Sequence, residues 1–321
     1  MERRDVDRER GEPLAVGERR VNVPRSTPQQ ARPLSEWQER PRILVTNDDG
    51  IESRGLLALK QALDPLGEVY VLAPETNQSA VGHTKTFMRP LRVRERTLAD
   101  GAIGWSVDGS PTDAVSLAFL GYFGIGFDLV ASGINYGANL GDDVTYSGTV
   151  SAAMEAVLNA CPAIAVSQEY YEHPDFTLAS RIAYVAAVNV LENGLAEGEL
   201  INVNVPAIAA DECQGVEVTR MGKRVYQDEL IERLDPRGLE RIAPGQGGRG
   251  QVRQRVSGKI AGLDFQPTRP GPPACDDGGR EFAGDRLVIG QEQHRPRLVG
   301  MAAHQIMAFA VDGAEAVGFE F

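Results

Sequence analysis

The sequence has little cysteine, no excess of basic residues and no long apolar run. Only three cysteines occur in 321 residues, Cys161, Cys213 and Cys275, and their wide spacing excludes a disulfide scaffold and a cysteine-based zinc cluster. The net charge of −12 argues against general binding to nucleic acid or to an anionic membrane. No apolar run approaches the ~20 residues of a membrane span, and the charged N-terminal residues do not resemble a secretory signal. We therefore expect a cytoplasmic protein with no nucleic-acid or membrane partner.

The sequence does contain short apolar runs that alternate with helical patterns, which predicts an α/β sheet with helices on both faces. The predicted strands are 43–46, 68–73, 128–132, 163–167 and 201–205, with a hairpin formed by 87–94 and 103–107. The predicted helices are 56–66, 149–160 and 176–191, and a further helix begins at Pro111. Residues 1–41 are rich in Arg, Glu and Pro and are predicted to be a disordered extension.

A polar cluster follows each of three predicted strands. In an open parallel sheet, ligands bind at the carboxyl ends of the strands, so these clusters are expected to converge. Asp48 and Asp49 are adjacent, and two carboxylates in one crevice repel each other unless a cation is present. With the hydroxyl of Ser79 and the amide of Asn135 they form a hard oxygen set that suits Mg²⁺ or Mn²⁺. The alternative for Asp48 and Asp49 alone is a turn or a helix cap.

The segment before the predicted helix 149–160 is a candidate anion site. Ser147, Gly148 and Thr149 lie where a helix start offers unpaired N–H groups and a partial positive charge. The hydroxyls of Ser147 and Thr149 and the amide of Asn139 are further donors. The alternative is an ordinary N-cap after a glycine-rich loop.

Other catalytic signatures are missing. No G-x-G-x-x-G fingerprint, P-loop or nucleophile elbow follows a predicted strand, which disfavours a hydride-transferring dinucleotide enzyme and a covalent nucleophile. His83 lies in the loop near Ser79, where it is either a substrate contact or a surface residue. With no covalent nucleophile in sight, direct attack by water is the preferred chemistry at a site that combines a metal with an anion.

Four ordered motifs resemble the SurE family of stationary-phase survival proteins. The resemblance covers about residues 42 to 238 and is carried by ILVTNDDGI (43–51), LAP with NQS (72–79), VDGSPTD (107–113) and the run SGINYGANLGDD through YSGTVSAAME (132–155).

The resemblance implies a Rossmann-like three-layer sandwich with a mostly parallel sheet and an extended β arm. It implies a metal-dependent phosphatase that hydrolyses nucleoside 5′-monophosphates, with some members also acting on 3′-monophosphates and polyphosphate, and a homodimer or tetramer. The residues that match the family's metal ligands are Asp48, Asp49, Ser79 and Asn135, and those that match its phosphate contacts are Asn139, Ser147, Gly148 and Thr149. Asp48 or Asp49 is the expected catalytic proton acceptor.

The same reading divides the chain into an extension (1–41), a catalytic core (42–206), an arm used in oligomerisation (207–238) and an atypical segment (239–321). Residues 239–321 do not contain the sequence motifs that the family has in its later segments. A frame change in a GC-rich gene is one hypothesis for the Gly-, Arg- and Pro-rich sequence found there instead. A protein of the same fold that binds nucleotides or phosphate without turnover is the alternative function.

Overall fold

The computed structural model describes residues 33–169, 174–225, 230–234, 240–244, 251–259 and 302–309. The strands are β1 (Arg42–Thr46), β2 (Glu68–Pro74), β3 (Val93–Thr97), β4 (Ile103–Val107), β5 (Leu129–Tyr136), β6 (Ala163–Gln168), β7 (Glu199–Val205), β8 (Gly215–Val225), β9 (Leu230–Leu234), β10 (Glu240–Pro244), β11 (Gln251–Lys259) and β12 (Ala302–Phe309). The helices are α1 (Arg54–Leu63), α2 (Pro111–Phe119), α3 (Gly148–Leu158) and α4 (Thr177–Asn193).

One mixed sheet organises the described part of the chain. Its ten strands lie in the order β11-β8-β12-β7-β6-β5-β1-β2-β4-β3, and β9 and β10 form a separate antiparallel pair. The run from β12 to β4 is parallel throughout, while β3, β8 and β11 pair antiparallel with their neighbours. The mostly parallel sheet is therefore confirmed.

Helices cover both faces of this sheet, as the alternating sequence pattern predicts. Ile43 and Val45 on β1 belong to the core under α1 and α4, whereas Leu44 belongs to the core under α2 and α3. This alternation arises because successive strand residues point to opposite faces, and a strand covered on both sides is apolar at every position. The three-layer α/β fold is confirmed.

The predicted start of α2 is present in detail. The Ser110 side chain accepts a hydrogen bond from the Asp113 backbone N–H, the Asp113 carboxylate accepts one from the Ser110 N–H, and Pro111 begins the helix. This reciprocal pairing satisfies two donors that the first turn leaves open.

Several element predictions differ from the structure. Strand β5 runs to Tyr136, four residues beyond the predicted end, and helix α3 ends at Leu158 rather than at 160. The first strand of the predicted hairpin is Val93–Thr97 and not 87–94, since the preceding segment is tied to α2 and α3 by side chains. Helix α1 ends at Leu63 rather than at the predicted residue 66.

The structure describes residues beyond both limits of the predicted catalytic core, 42–206. Leu34 and Trp37, inside the predicted extension, pack against the core, and strands β8 and β9 lie within the predicted arm 207–238. Strands β10, β11 and β12 lie in segment 239–321, and β12 pairs with both β7 and β8. The rest of that segment and residues 1–32 lie outside the described residues.

The strand order creates a natural ligand crevice. Strand β1 lies between β2 on one side and β5 on the other, so the connections from β1 and into β5 leave in opposite directions. A crevice opens at the carboxyl ends of parallel strands where the chain changes direction in this way. The acidic turn that follows β1 lies at this point.

Candidate active site

The turn after β1 aims two carboxylates into the crevice. Its shape is held by Asn47, whose amide nitrogen donates to the Gly50 carbonyl at 3.1 Å while its amide oxygen accepts from the Gly50 N–H at 3.1 Å. Gly50 has a φ of +103°, a conformation that side-chain-bearing residues rarely adopt. Asn47 and Gly50 thus fix the direction of Asp48 and Asp49, which lie between them.

Asp48 is almost fully buried, with 3% of its surface exposed. The pKa of Asp48 is raised to about 6, chiefly by burial and in part by the neighbouring carboxylate of Asp49, while the hydrogen bond from Thr149 lowers it. The Thr149 hydroxyl donates to Asp48 Oδ1 at 2.5 Å. The other oxygen, Oδ2, lies 2.9 Å from where a Cβ on Gly148 would be, so this carboxylate edge faces the first turn of α3.

Asp49 connects the other two predicted ligand segments. Its Oδ1 accepts from the Asn77 amide at 3.2 Å, and its Oδ2 accepts from the Tyr136 backbone N–H at 3.2 Å. Burial raises the pKa of Asp49, and these two hydrogen bonds lower it in part. The Ser79 N–H donates to the Asn77 side chain at 2.8 Å, so Asn77 bridges the Asp49 carboxylate and the Ser79 backbone.

Asn135 lies at the end of β5, one residue before Tyr136. Its amide nitrogen donates to the Gly137 carbonyl at 2.7 Å, so the amide oxygen is the atom that it can offer to a cation. The segments that carry the four predicted metal ligands thus meet at one edge of the sheet, through the hydrogen bonds of Asp49, Asn77 and Tyr136.

The chemistry of this set fits a hard divalent cation. Two neighbouring carboxylates with raised pKa values are an arrangement that a cation stabilises, and oxygen donors suit Mg²⁺ or Mn²⁺. Within the described residues, no group of three or more His, Cys, Asp or Glu side chains forms a metal site. The candidate set therefore depends on Ser79 and Asn135 for its remaining protein ligands.

The first turn of α3 forms the anion side of the crevice. Ser147 is the N-cap, and its hydroxyl oxygen accepts from the Val150 N–H at 3.1 Å, which leaves the hydroxyl hydrogen to donate. Helix starts carry N–H groups without intrahelical partners. Thr149 was predicted as a hydroxyl donor to phosphate. Its hydroxyl donates to Asp48 here, so its side chain orients a carboxylate, and its contact with phosphate stays a prediction.

Asn139 is held by groups that the sequence analysis did not single out. Its side-chain nitrogen donates to Ser167 Oγ at 2.7 Å, its N–H donates to Asn204 Oδ1 at 2.7 Å, and its carbonyl accepts from Asn202 and Asn204. A signal was present, because two asparagines alternate with apolar residues in INVNV, a strand that is otherwise suited to a buried sheet.

His83 is paired with a buried acid. Its Nε2 lies 3.0 Å from Glu155 Oε2 on α3, while Lys85 and Ser116 approach Glu155 Oε1 at 2.7 and 2.8 Å. The Gly82 N–H donates to the Tyr146 carbonyl at 3.0 Å. The loop that carries Ser79 is therefore fastened beside the first turn of α3.

Across the ranges that the structure describes, no helix is both long and apolar enough to cross a membrane.

Comparison with known proteins agrees with this geometry. The family model "Survival protein SurE" matches residues 43–228. A 5′-nucleotidase SurE of Herpetosiphon aurantiacus is 52% identical over 198 residues, which cover 61% of this chain and 78% of the relative. One of Pelobacter propionicus is 51% identical over 208 residues, covering 64% and 82%. The crystal structure of the SurE protein from Aquifex aeolicus is similar, with a TM-score of 0.56 and 40% identity, over 65% of this chain and 84% of that one. The chain belongs to the SurE family.

Proposed function

We propose that this protein is a metal-dependent phosphatase that hydrolyses nucleoside 5′-monophosphates to nucleoside and phosphate. One observation carries the proposal: the buried Asp48 carboxylate, beside Asp49, faces the first turn of α3. A cation held by the carboxylates and a phosphate held by the helix start would be in contact there. The relatives named 5′-nucleotidase support the substrate class. Action on 3′-monophosphates and polyphosphate belongs to the same proposal.

The residues have separate roles in this reaction. Asp48, Asp49, Ser79 and Asn135 would hold Mg²⁺ or Mn²⁺, whose chemistry is to polarise a phosphoryl oxygen and to acidify the attacking water. The N–H groups of the turn Ser147–Thr149, the Ser147 hydroxyl and the Asn139 amide would bind the phosphate oxygens as charge develops.

A carboxylate of the acidic pair would accept the proton of the water. Burial raises the pKa values of Asp48 and Asp49 when no cation is present, and a bound cation would lower them again, so that both would be ionised and able to accept a proton. Thr149 then acts through Asp48, because its hydroxyl holds one carboxylate oxygen and leaves the other toward the crevice.

The test is release of inorganic phosphate from a panel of nucleoside monophosphates with Mg²⁺ or Mn²⁺ and with a chelator. Asp48→Asn should lower turnover more than about 100-fold, since even residues that only support metal ligands change activity 10- to 100-fold. Asp211→Asn, an exposed aspartate in the loop after β7, is the matched control and should keep wild-type turnover. Wild-type turnover by Asp48→Asn would reject the site. Nucleotide binding without phosphate release would favour the non-catalytic alternative.

The proposal includes two properties of the whole protein. We place it in the cytoplasm, supported by the scarcity of cysteine, and we expect a homodimer or tetramer as in the family.

A further inference from the structure

Two buried asparagines interrupt the apolar pattern of β7. Asn202 and Asn204 are 1% and 2% exposed, and they lie on the same face of a strand between β6 and β12. Leucine would be the ordinary residue at such positions, because a buried amide is unfavourable unless its hydrogen bonds are made. What these amides contact therefore indicates why they are there.

Both amides bind one loop residue. Asn204 Oδ1 accepts from the Asn139 N–H at 2.7 Å, and Asn204 Nδ2 donates to the Asn139 carbonyl at 3.1 Å. Asn202 Nδ2 donates to the same carbonyl at 3.0 Å, while its own Oδ1 is buried and has no hydrogen-bond partner among the described side chains. Asn204 thus pairs with both backbone groups of Asn139 as a neighbouring strand would, and Asn202 adds a single bond.

Asn139 needs such support because it lies in a connection and not in an element. It follows the end of β5 by three residues and precedes the short 3₁₀ turn Gly141–Thr145 that leads into α3. Ser167 on β6 accepts from the Asn139 side chain at 2.7 Å, so the backbone and the side chain are both fixed from the sheet.

We infer that Asn204 is a positioning residue for the proposed phosphate contact: it fixes the Asn139 backbone, and with it the place from which the Asn139 side-chain amide, held on one side by Ser167, would donate to phosphate. The inference rests on the proposed function, in which Asn139 binds a phosphate oxygen. Asn204 touches neither Asp48 nor Asp49 through any of its hydrogen bonds, so it acts on phosphate binding and not on the metal.

The test compares Asn204→Leu with Asn202→Leu, which has the same strand, face and burial. Asn204→Leu should lower kcat/KM for phosphate release about 10- to 100-fold, the effect seen when a residue that orients a binding residue is replaced. It should also weaken inhibition by inorganic phosphate. The Mn²⁺ concentration that gives half-maximal activity should not change. Asn202→Leu should have a smaller effect, because Asn204 still holds both Asn139 groups.

Hydrogen–deuterium exchange supplies a readout that does not depend on activity. The backbone N–H of Asn139, which donates to Asn204, should exchange faster in Asn204→Leu and keep its protection in Asn202→Leu. Unchanged exchange, or faster exchange with wild-type kcat/KM and phosphate inhibition, would overturn the inference. If Asn204→Leu does not fold, Asn204→Ala is measured in the same way. An inactive wild type that does not bind phosphate would instead reject the proposed function, whatever the exchange result.

Discussion

At the scale of single residues, a neighbour decides what each acidic side chain can do. Asp48 is buried beside a second carboxylate and accepts one hydroxyl hydrogen bond, so its pKa is raised to about 6. Its ionised form is therefore unfavourable unless a cation is bound nearby. Glu155 is also buried, 3% exposed, yet burial is outweighed by hydrogen bonds from His83, Lys85 and Ser116, and its pKa is lowered to about 2. The raised pKa of Asp48 suits a residue that binds a cation, whereas the lowered pKa of Glu155 suits a residue that holds the loop of His83 and Lys85 to α3.

The anchoring role of Glu155 predicts a specific pH dependence of stability. Because its pKa falls from 4.5 to about 2 on folding, the ionised form stabilises the fold above pH 4.5, and that stabilisation is lost as the pH falls toward 2. The contribution at neutral pH is up to about 3 kcal/mol. Glu155→Gln should therefore be less stable than the wild type at pH 7, and the difference should shrink between pH 4.5 and 2.

Urea unfolding of the metal-free protein at a series of pH values measures this difference. Glu197→Gln, at an exposed position after α4, is the control and should follow the wild-type curve. A constant gap between wild type and Glu155→Gln from pH 7 to 2 would contradict the assignment.

At the scale of elements, the sequence predicts well where local pattern and final contacts agree. Strands β1, β2, β5, β6 and β7 lie inside a sheet that helices cover on both faces, so most of their buried residues are apolar. Helix α2 carries its own start signal in Ser110, Pro111 and Asp113. The acidic pair after β1 could be predicted as part of the site, because strand ends in this fold class share one crevice.

The elements that were missed depend on distant partners. Segment 87–92 was predicted as strand, but the chain leading into it is fixed by Thr86 on Asp113 and Lys85 on Glu155, contacts that no local pattern encodes. The hydrogen bond from the Thr149 hydroxyl to Asp48, 101 residues away, could not be predicted from the local pattern either. Asn202 and Asn204 were predicted only as strand residues, since the loop that they hold is distant in sequence.

The start of α3 is the element on which the site depends most directly, and Gly148 tests it. Alanine normally favours a helix over glycine by about 1 kcal/mol. Here its Cβ would lie 2.7 Å from Asp48 Cβ and 2.9 Å from Asp48 Oδ2, closer than the two groups can pack. Gly148→Ala should displace Asp48 and lower phosphate release more than about 100-fold, since small misplacements of reacting groups have effects of that size.

Gly215→Ala is the matched control, because its added Cβ meets no described atom within 4 Å, and its turnover should equal that of the wild type. Circular dichroism of both variants separates a displaced site from a lost fold. A folded Gly148→Ala enzyme with wild-type activity would show that the approach of Asp48 to α3 is not needed for the reaction.

At the scale of the whole molecule, a cation can stabilise this protein in two ways, by screening its net negative charge and by binding at a specific site. A chain with a net charge of −12 repels itself, and any added salt screens that repulsion. A specific site would add stability beyond screening, because a ligand that binds only the folded state stabilises it by about 2.7 kcal/mol at 100 times its Kd. For a domain of this size that corresponds to a rise in Tm of roughly 5 °C or more.

We therefore expect Mn²⁺ to raise the Tm of the wild type above its value in KCl of equal ionic strength. Asp49→Asn should lose this extra rise, because it removes one carboxylate of the candidate pair, while Asp211→Asn should keep it. Thermal melts followed by circular dichroism, with and without chelator, measure all three proteins. An equal rise in Asp49→Asn would assign the effect to general screening of the acidic surface, and the cation would then have to be sought away from the end of β1.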